Sequence, residues 1–116
     1  MEFITHTQDW GHMHTTYIFT ESMLSMVRAS VFSDDPEYVC LSDLWVFPGE
    51  RGRGYSRLLL EKAISIYPGK IPYLRVKENF SKLIAYYKRL GFEEGEIEDN
   101  YLYMYRYEQN KTNLVH

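Results

Sequence analysis

Leu44-Trp45-Val46-Phe47-Pro48-Gly49-Glu50-Arg51-Gly52-Arg53-Gly54-Tyr55-Ser56-Arg57-Leu58-Leu59-Leu60 reads as a strand, a glycine loop and the start of a helix. Leu44 to Phe47 is a short apolar run rich in residues that favour strands, and Pro48-Gly49 ends it because proline cannot extend a hydrogen-bond ladder. The leucines that follow open a helical pattern. Arg51, Gly52, Arg53 and Gly54 lie between, where a backbone short of bulky side chains lets successive N–H groups converge at the positive end of the helix. Such a loop is an anion cradle.

Two familiar phosphate loops are excluded. No Gly-Lys-Ser or Gly-Lys-Thr occurs, so the nucleotide P-loop is absent. Gly52-Arg53-Gly54-Tyr55-Ser56-Arg57 places arginine where the dinucleotide fingerprint needs its third glycine. The remaining pattern is [RQ]-x-x-G-x-[GA], written Arg51-Gly52-Arg53-Gly54-Tyr55-Ser56, with Ser56 as a small substitute at the end.

Around the loop the chain reads as one domain over residues 1–108, with a flexible tail over 109–116 that offers no apolar face. At 116 residues and 45% apolar it can fill a single core. The net charge of −3 and the lack of a basic block argue against nucleic acid as a partner, while leaving room for an anion held by Arg51 and Arg53. A single cysteine, Cys40, excludes an intramolecular disulfide and points to a reducing compartment. No run reaches membrane-spanning length and no signal peptide is evident, so the expected address is the cytoplasm, with no membrane partner.

In chain order, residues 2–8 predict a short edge strand and residues 9–14 a turn. His12 and His14 share a strand face, and His6 is a conceivable third ligand, yet no Cys or carboxylate stands at zinc-like spacing; a metal site is not expected. His14 to Phe19 and Met23 to Phe32 predict strands joined by a turn at Thr20-Glu21-Ser22, although Met23, Met26, Val27 and Ser30 also fit helical spacing. Ser33 to Glu37 is a strong turn signal, and Tyr38 to Phe47 the next strand, so three antiparallel strands lead into the loop. The following helix is expected to start near Ser56, its hydroxyl as cap, and to stop at Pro68-Gly69. A strand over residues 71–77 then completes a right-handed parallel βαβ unit. A helix from Phe80 to Leu90 ends at Gly91, and a hairpin turning at Glu98-Asp99-Asn100 closes the chain, with Tyr101, Tyr103, Tyr105 and Tyr107 on one face.

This order, with the loop and the later Tyr86-Tyr87-Lys88-Arg89-Leu90-Gly91-Phe92, resembles the GNAT superfamily of N-acetyltransferases from about Thr16 to Tyr107. The resemblance implies an α+β fold: a mixed, mostly antiparallel sheet with a central βαβ unit and a V-shaped acyl-CoA cleft. It implies acetyl transfer from acetyl-CoA to an amine by direct attack in a ternary complex. Main-chain groups of Leu44, Trp45 and Val46 would hold the pantetheine arm, and the N–H groups from Arg51 through Gly52, Arg53, Gly54 and Tyr55 to Ser56 the pyrophosphate. Tyr87 would protonate the departing thiolate. Asn79 stands one residue from the family's cofactor asparagine. The family's strand and two helices at the N-terminus are reduced here to about fifteen residues, so the acceptor side is expected to be open or completed by a partner chain, such as a second copy.

Each candidate has a plainer reading. Tyr87 shares a helix face with Phe80, Leu83 and Ile84 and suits a core. Asp43 is placed to accept a proton from the amine, or is a solvated strand residue. Glu93, Glu94, Glu96, Glu98 and Asp99 either draw in a cationic amine or form a solvated tip. The tyrosine ladder walls the acceptor site, forms a subunit interface or simply packs on its sheet. Cys40 reads as a small core residue. A protein of this fold without turnover, binding coenzyme A or another protein, is the alternative to an enzyme.

Overall fold

The computed structural model describes residues 2–107, so the expected tail over 109–116 lies outside the described residues. Among them are seven strands, two α-helices and one 3-10 turn, in the order ββββ-turn-αβαββ. The chain divides into two compact units, Met1–Lys70 and Ile71–His116.

The first unit is an antiparallel sheet of β1 (Phe3–Asp9), β2 (Met13–Thr20), β3 (Met26–Phe32) and β4 (Asp35–Trp45), covered on one face by α1 (Tyr55–Ile66). Four strands therefore precede the loop: the expected edge strand, here Phe3–Asp9, and the three antiparallel strands that follow it. The β-branched content of Met26–Phe32 prevails over its partial helical spacing, because Ile18↔Val27 and Thr16↔Ala29 pair in register with β2.

Period-two patterning puts Thr16, Ile18 and Thr20 of β2 and Val27 and Ala29 of β3 on the buried face. Val39 and Leu41 of β4 are buried too, and α1 supplies Leu59, Leu60, Ala63 and Ile64. Truncating a leucine in such a core costs about 2–5 kcal/mol. Just past α1, the Tyr67 hydroxyl bonds Thr16 Oγ1 at 2.8 Å and His14 Nδ1 at 2.9 Å, tying the helix end to β2.

Two expectations in this unit need correction. The turn signal at residues 33–37 is spent in two residues, Ser33 and Asp34; Pro36 and Glu37 fall inside β4, at an irregularity in its pairing with β3 where a missing N–H is tolerated. Ser56 does not cap α1. The helix starts one residue earlier, and its N-cap is Gly54, in left-handed conformation with no side-chain cap.

The second unit orders its strands β5 (Ile71–Lys77), β7 (Tyr101–Tyr105) and β6 (Glu93–Glu98), all antiparallel, with α2 (Ser81–Arg89) between β5 and β6 in sequence. Asp99 and Asn100, both at positive φ, form the tight turn that joins β6 to β7. Leu102 and Met104 are buried, while Tyr101, Tyr103 and Tyr105 take the other face. There Tyr73 of β5 stacks on Tyr103 at 6.2 Å, Tyr105 on Tyr107 at 6.0 Å, and Arg75 lies 4.3 Å over the Tyr101 ring. The tyrosine ladder thus packs ring against ring on its sheet and stays half-exposed. No helix among the described residues is long and apolar enough to cross a membrane.

Candidate functional site

At the end of β4 the backbone leaves the regular ladder. Between Met26↔Trp45 and Arg28↔Ser42, β4 has one more residue than β3, a bulge that takes in Asp43 and Leu44. Asp43 sits at φ 55, and its carboxylate pairs with Arg28 at 3.1 Å, while Arg28 Nε also donates to Ser42 Oγ at 3.1 Å. The bulge re-aims the strand end; Trp45 pairs again with Met26, and the ladder stops before Val46 as the chain enters the loop.

Next comes a 3-10 turn over Pro48–Glu50, then Arg51 to Gly54, then α1. Two adjacent charged residues anchor this passage in different ways. Arg51 folds back, donating from Nε to the Val46 carbonyl at 2.9 Å with its guanidinium 5.1 Å from the Trp45 ring. Glu50, which the sequence did not single out, faces the β2–β3 turn: Ser25 donates to it at 2.6 Å, Ser22 at 2.7 Å and Thr20 at 3.4 Å. These hydroxyls, Ser25 foremost, hold the Glu50 carboxyl below its ordinary range, and the Arg53 charge adds to the effect. No motif points to Glu50, because its partners lie 25 to 30 residues away in sequence.

Beyond these anchors, Gly52 at φ 81 and Gly54 at φ 77 take conformations that L side chains rarely adopt, and a Cβ at either would meet no atom within 4 Å. The loop therefore opens onto free space. Gly54 starts a helix of 12 residues whose first N–H groups have no side-chain cap. That combination of open backbone, uncapped helix start and flanking Arg51 and Arg53 fits a diphosphate. Asp43, Leu44, Trp45, Val46 and residues 51–56 are thus brought together within the first unit.

Tyr87 and Asn79 belong to the second unit. Tyr87 is the buried residue of α2, only 7% exposed, whereas Phe80 and Leu83 are largely exposed. Burial pushes its phenol above its ordinary pKa, with a smaller contribution from Tyr86. Its ring meets Phe92 edge-on at 6.0 Å, and its carbonyl accepts the Phe92 N–H at 3.1 Å. Gly91, at φ 97, makes this reversal possible. The Tyr-x-x-x-Gly-Phe motif is therefore also a helix stop. Asn79 is exposed in the turn before α2.

Cys40 is half-buried rather than in the core. Among the described residues no three His, Cys, Asp or Glu side chains gather in a way that would hold a metal. Of the acidic hairpin, Glu94 pairs with Lys88 and Glu96 accepts from the Tyr105 hydroxyl.

The sequence profile of the Acetyltransferase (GNAT) family matches residues 2–92. The chain belongs to that family. Solved GNAT structures share its fold. An acetyltransferase from Thermus thermophilus superposes with a TM-score of 0.70 at 20% identity, over 84% of this chain and 65% of that one. The PaiA N-acetyltransferase from Thermoplasma acidophilum, solved in complex with coenzyme A, has a TM-score of 0.66 at 16% identity, over 82% and 60%. The ribosomal-protein-S18-alanine N-acetyltransferase from Escherichia coli has a TM-score of 0.64 at 19% identity, over 84% and 70%. The chain thus spans less than two thirds of the first two. Among curated proteins, none matches it. GNAT acetyltransferases use acetyl-CoA as acetyl donor, and the α+β, mostly antiparallel fold is that of the family.

Proposed function

We propose that this GNAT chain is an N-acetyltransferase that moves an acetyl group from acetyl-CoA to a primary amine, by direct attack in a ternary complex. The observation that carries the reading is the pair of left-handed glycines, Gly52 and Gly54, opening onto free space at an uncapped helix start. On this reading the N–H groups of residues 51–56 bind the diphosphate, and the main chain of Leu44, Trp45 and Val46 binds the pantetheine arm, with Asn79 an additional contact. The amine nitrogen bonds to the acetyl carbon as the carbon–sulfur bond breaks. Asp43 takes the amine proton, directly or through water, and Tyr87 gives its proton to the sulfur. Burial suits Tyr87 to that role, because it keeps the phenol protonated.

The acceptor is a protein lysine, a protein N-terminus or a small amine. Among the described residues of its unit β1 bonds only to β2, and its other, largely exposed edge suits pairing with a second copy in a homodimer. Light scattering tests that assembly; a monomeric mass removes it.

One observation favours a second reading. The carboxylate offered as base already holds Arg28 in an ion pair. A protein that binds coenzyme A without turnover needs no free carboxylate there and accommodates that pair without further change. Calorimetric titration with coenzyme A and acetyl-CoA, followed by an acetylation assay on amines and on cellular protein, separates the readings. Micromolar binding with turnover supports the enzyme. Binding without turnover supports the second reading, and no binding at millimolar ligand overturns both.

A further inference from the structure

Glu50 is a carboxylate next to a loop suited to an anion, and by charge alone it should weaken that site. Its surroundings explain why it is there. Oε1 accepts from Ser25 at 2.6 Å and from Thr20 at 3.4 Å, and Oε2 accepts from Ser22 at 2.7 Å. Ser25 Oγ in turn accepts the Phe47 N–H at 2.9 Å, so one serine grips the loop entry at both Phe47 and Glu50. The β2–β3 turn is shaped to present these hydroxyls. Thr20 N–H donates to the Ser25 carbonyl at 3.0 Å, Leu24 N–H to Ser22 Oγ at 3.1 Å, and Met23 takes a positive φ of 65. Ser25 and Thr20 are fully buried or nearly so, which makes their hydroxyls costly to leave unpaired.

We infer that Glu50 is a positioning residue for the coenzyme A diphosphate: its carboxylate clamps the loop entry to the β2–β3 turn and so fixes the orientation of the N–H groups from Arg51 to Ser56. The inference rests on the coenzyme A reading above. Arg51, the next residue, secures the same entry from its other side, through the Val46 carbonyl and the Trp45 ring. Just beyond the two anchors, Gly52 and Gly54 would otherwise let the loop sample many conformations, and a diphosphate site gains from a backbone that leaves its entry already in place.

Charge and clamp predict opposite results for Glu50→Gln. Removing a negative charge near the loop tightens coenzyme A binding if electrostatics dominate. Losing the charge-assisted hydrogen bonds loosens the loop and weakens binding if the clamp dominates, by about tenfold. The clamp also predicts that the KM for acetyl-CoA rises while kcat at saturating acetyl-CoA holds, a split that general loss of folded protein does not produce. Ser22→Ala removes one donor on the exposed side and should give a smaller shift in the same direction.

The test is calorimetric titration of the full chain with coenzyme A for wild type, Glu50→Gln and Ser22→Ala, each first checked for a cooperative unfolding transition. Weaker binding by both folded variants, Glu50→Gln more than Ser22→Ala, supports the clamp. Unchanged or tighter binding by Glu50→Gln overturns it while leaving the acetyltransferase reading intact. If Glu50→Gln does not fold, Ser22→Ala decides alone, and wild-type affinity there overturns the clamp. A wild type that binds no coenzyme A overturns the acetyltransferase reading and the clamp together.

Discussion

The guanidinium of Arg28 and the carboxylate of Asp43 meet at 3.1 Å, Nη2 to Oδ2, beside the bulge in β4. Asp43 holds φ 55 there, a conformation that glycine adopts more easily. Asp43→Gly therefore relieves backbone strain while losing an exposed ion pair worth roughly 0.2–1 kcal/mol. The two effects offset, and the urea midpoint should move little. If Asp43 takes the amine proton, the same variant lowers kcat by about 100-fold with coenzyme A binding unchanged. Unchanged turnover removes Asp43 as the base.

Tyr87→Phe separates proton donation from packing. The ring and its edge-on contact with Phe92 remain, so coenzyme A affinity and thermal midpoint should hold, while kcat falls by about 100-fold or more. The pH dependence has a definite sign. The folded phenol titrates above its ordinary value of 10.0, so the stability tied to its neutral form is complete below about pH 10 and is lost as pH rises through the raised value. Wild type should lose stability on the alkaline side more steeply than Tyr87→Phe. Parallel curves would contradict the burial argument.

For Glu50 the sign is reversed. Its folded pKa lies below 4.5, so the stability it contributes is complete above that value and is lost as pH falls through the lowered one. Urea unfolding from pH 6 downward should therefore show a shallower acid loss for Glu50→Gln than for wild type.

Gly54→Ala isolates backbone conformation from space. No atom lies within 4 Å of the added Cβ, so the cost comes from φ 77, about 1–2 kcal/mol. Thermal unfolding measures that loss, and calorimetry should show weaker coenzyme A binding. Wild-type values in both would mean that the loop relaxes freely.

Gly95 poses the opposite case. A Cβ there would lie 2.6 Å from Tyr105 Cε1 and 3.1 Å from the Tyr103 carbonyl, in the bulge of β6. Gly95→Ala should cost about 1–3 kcal/mol through displacement of the Tyr105 ring, with coenzyme A binding unaffected. Denaturant unfolding checks the first and calorimetry the second.

Local chemistry determined much of this protein. The loop could be read from sequence because its left-handed positions select glycine, at Gly52 and Gly54, and β5, the tight turn at Asp99 and Asn100, and the stop at Gly91 were legible for similarly local reasons. Ser56 was misread as a cap because a hydroxyl near a helix start is a common solution, whereas here Gly54 reaches the left-handed conformation that no side chain signals. Tertiary structure alone decided what surrounds the loop. Glu50 meets hydroxyls 25 to 30 residues away, Asp43 meets Arg28 across the β3–β4 pairing, and the bulge at Asp43 and Leu44 depends on register with a neighbouring strand. Those contacts require chain segments that have no sequence proximity, so their chemistry exists only once the sheet has formed.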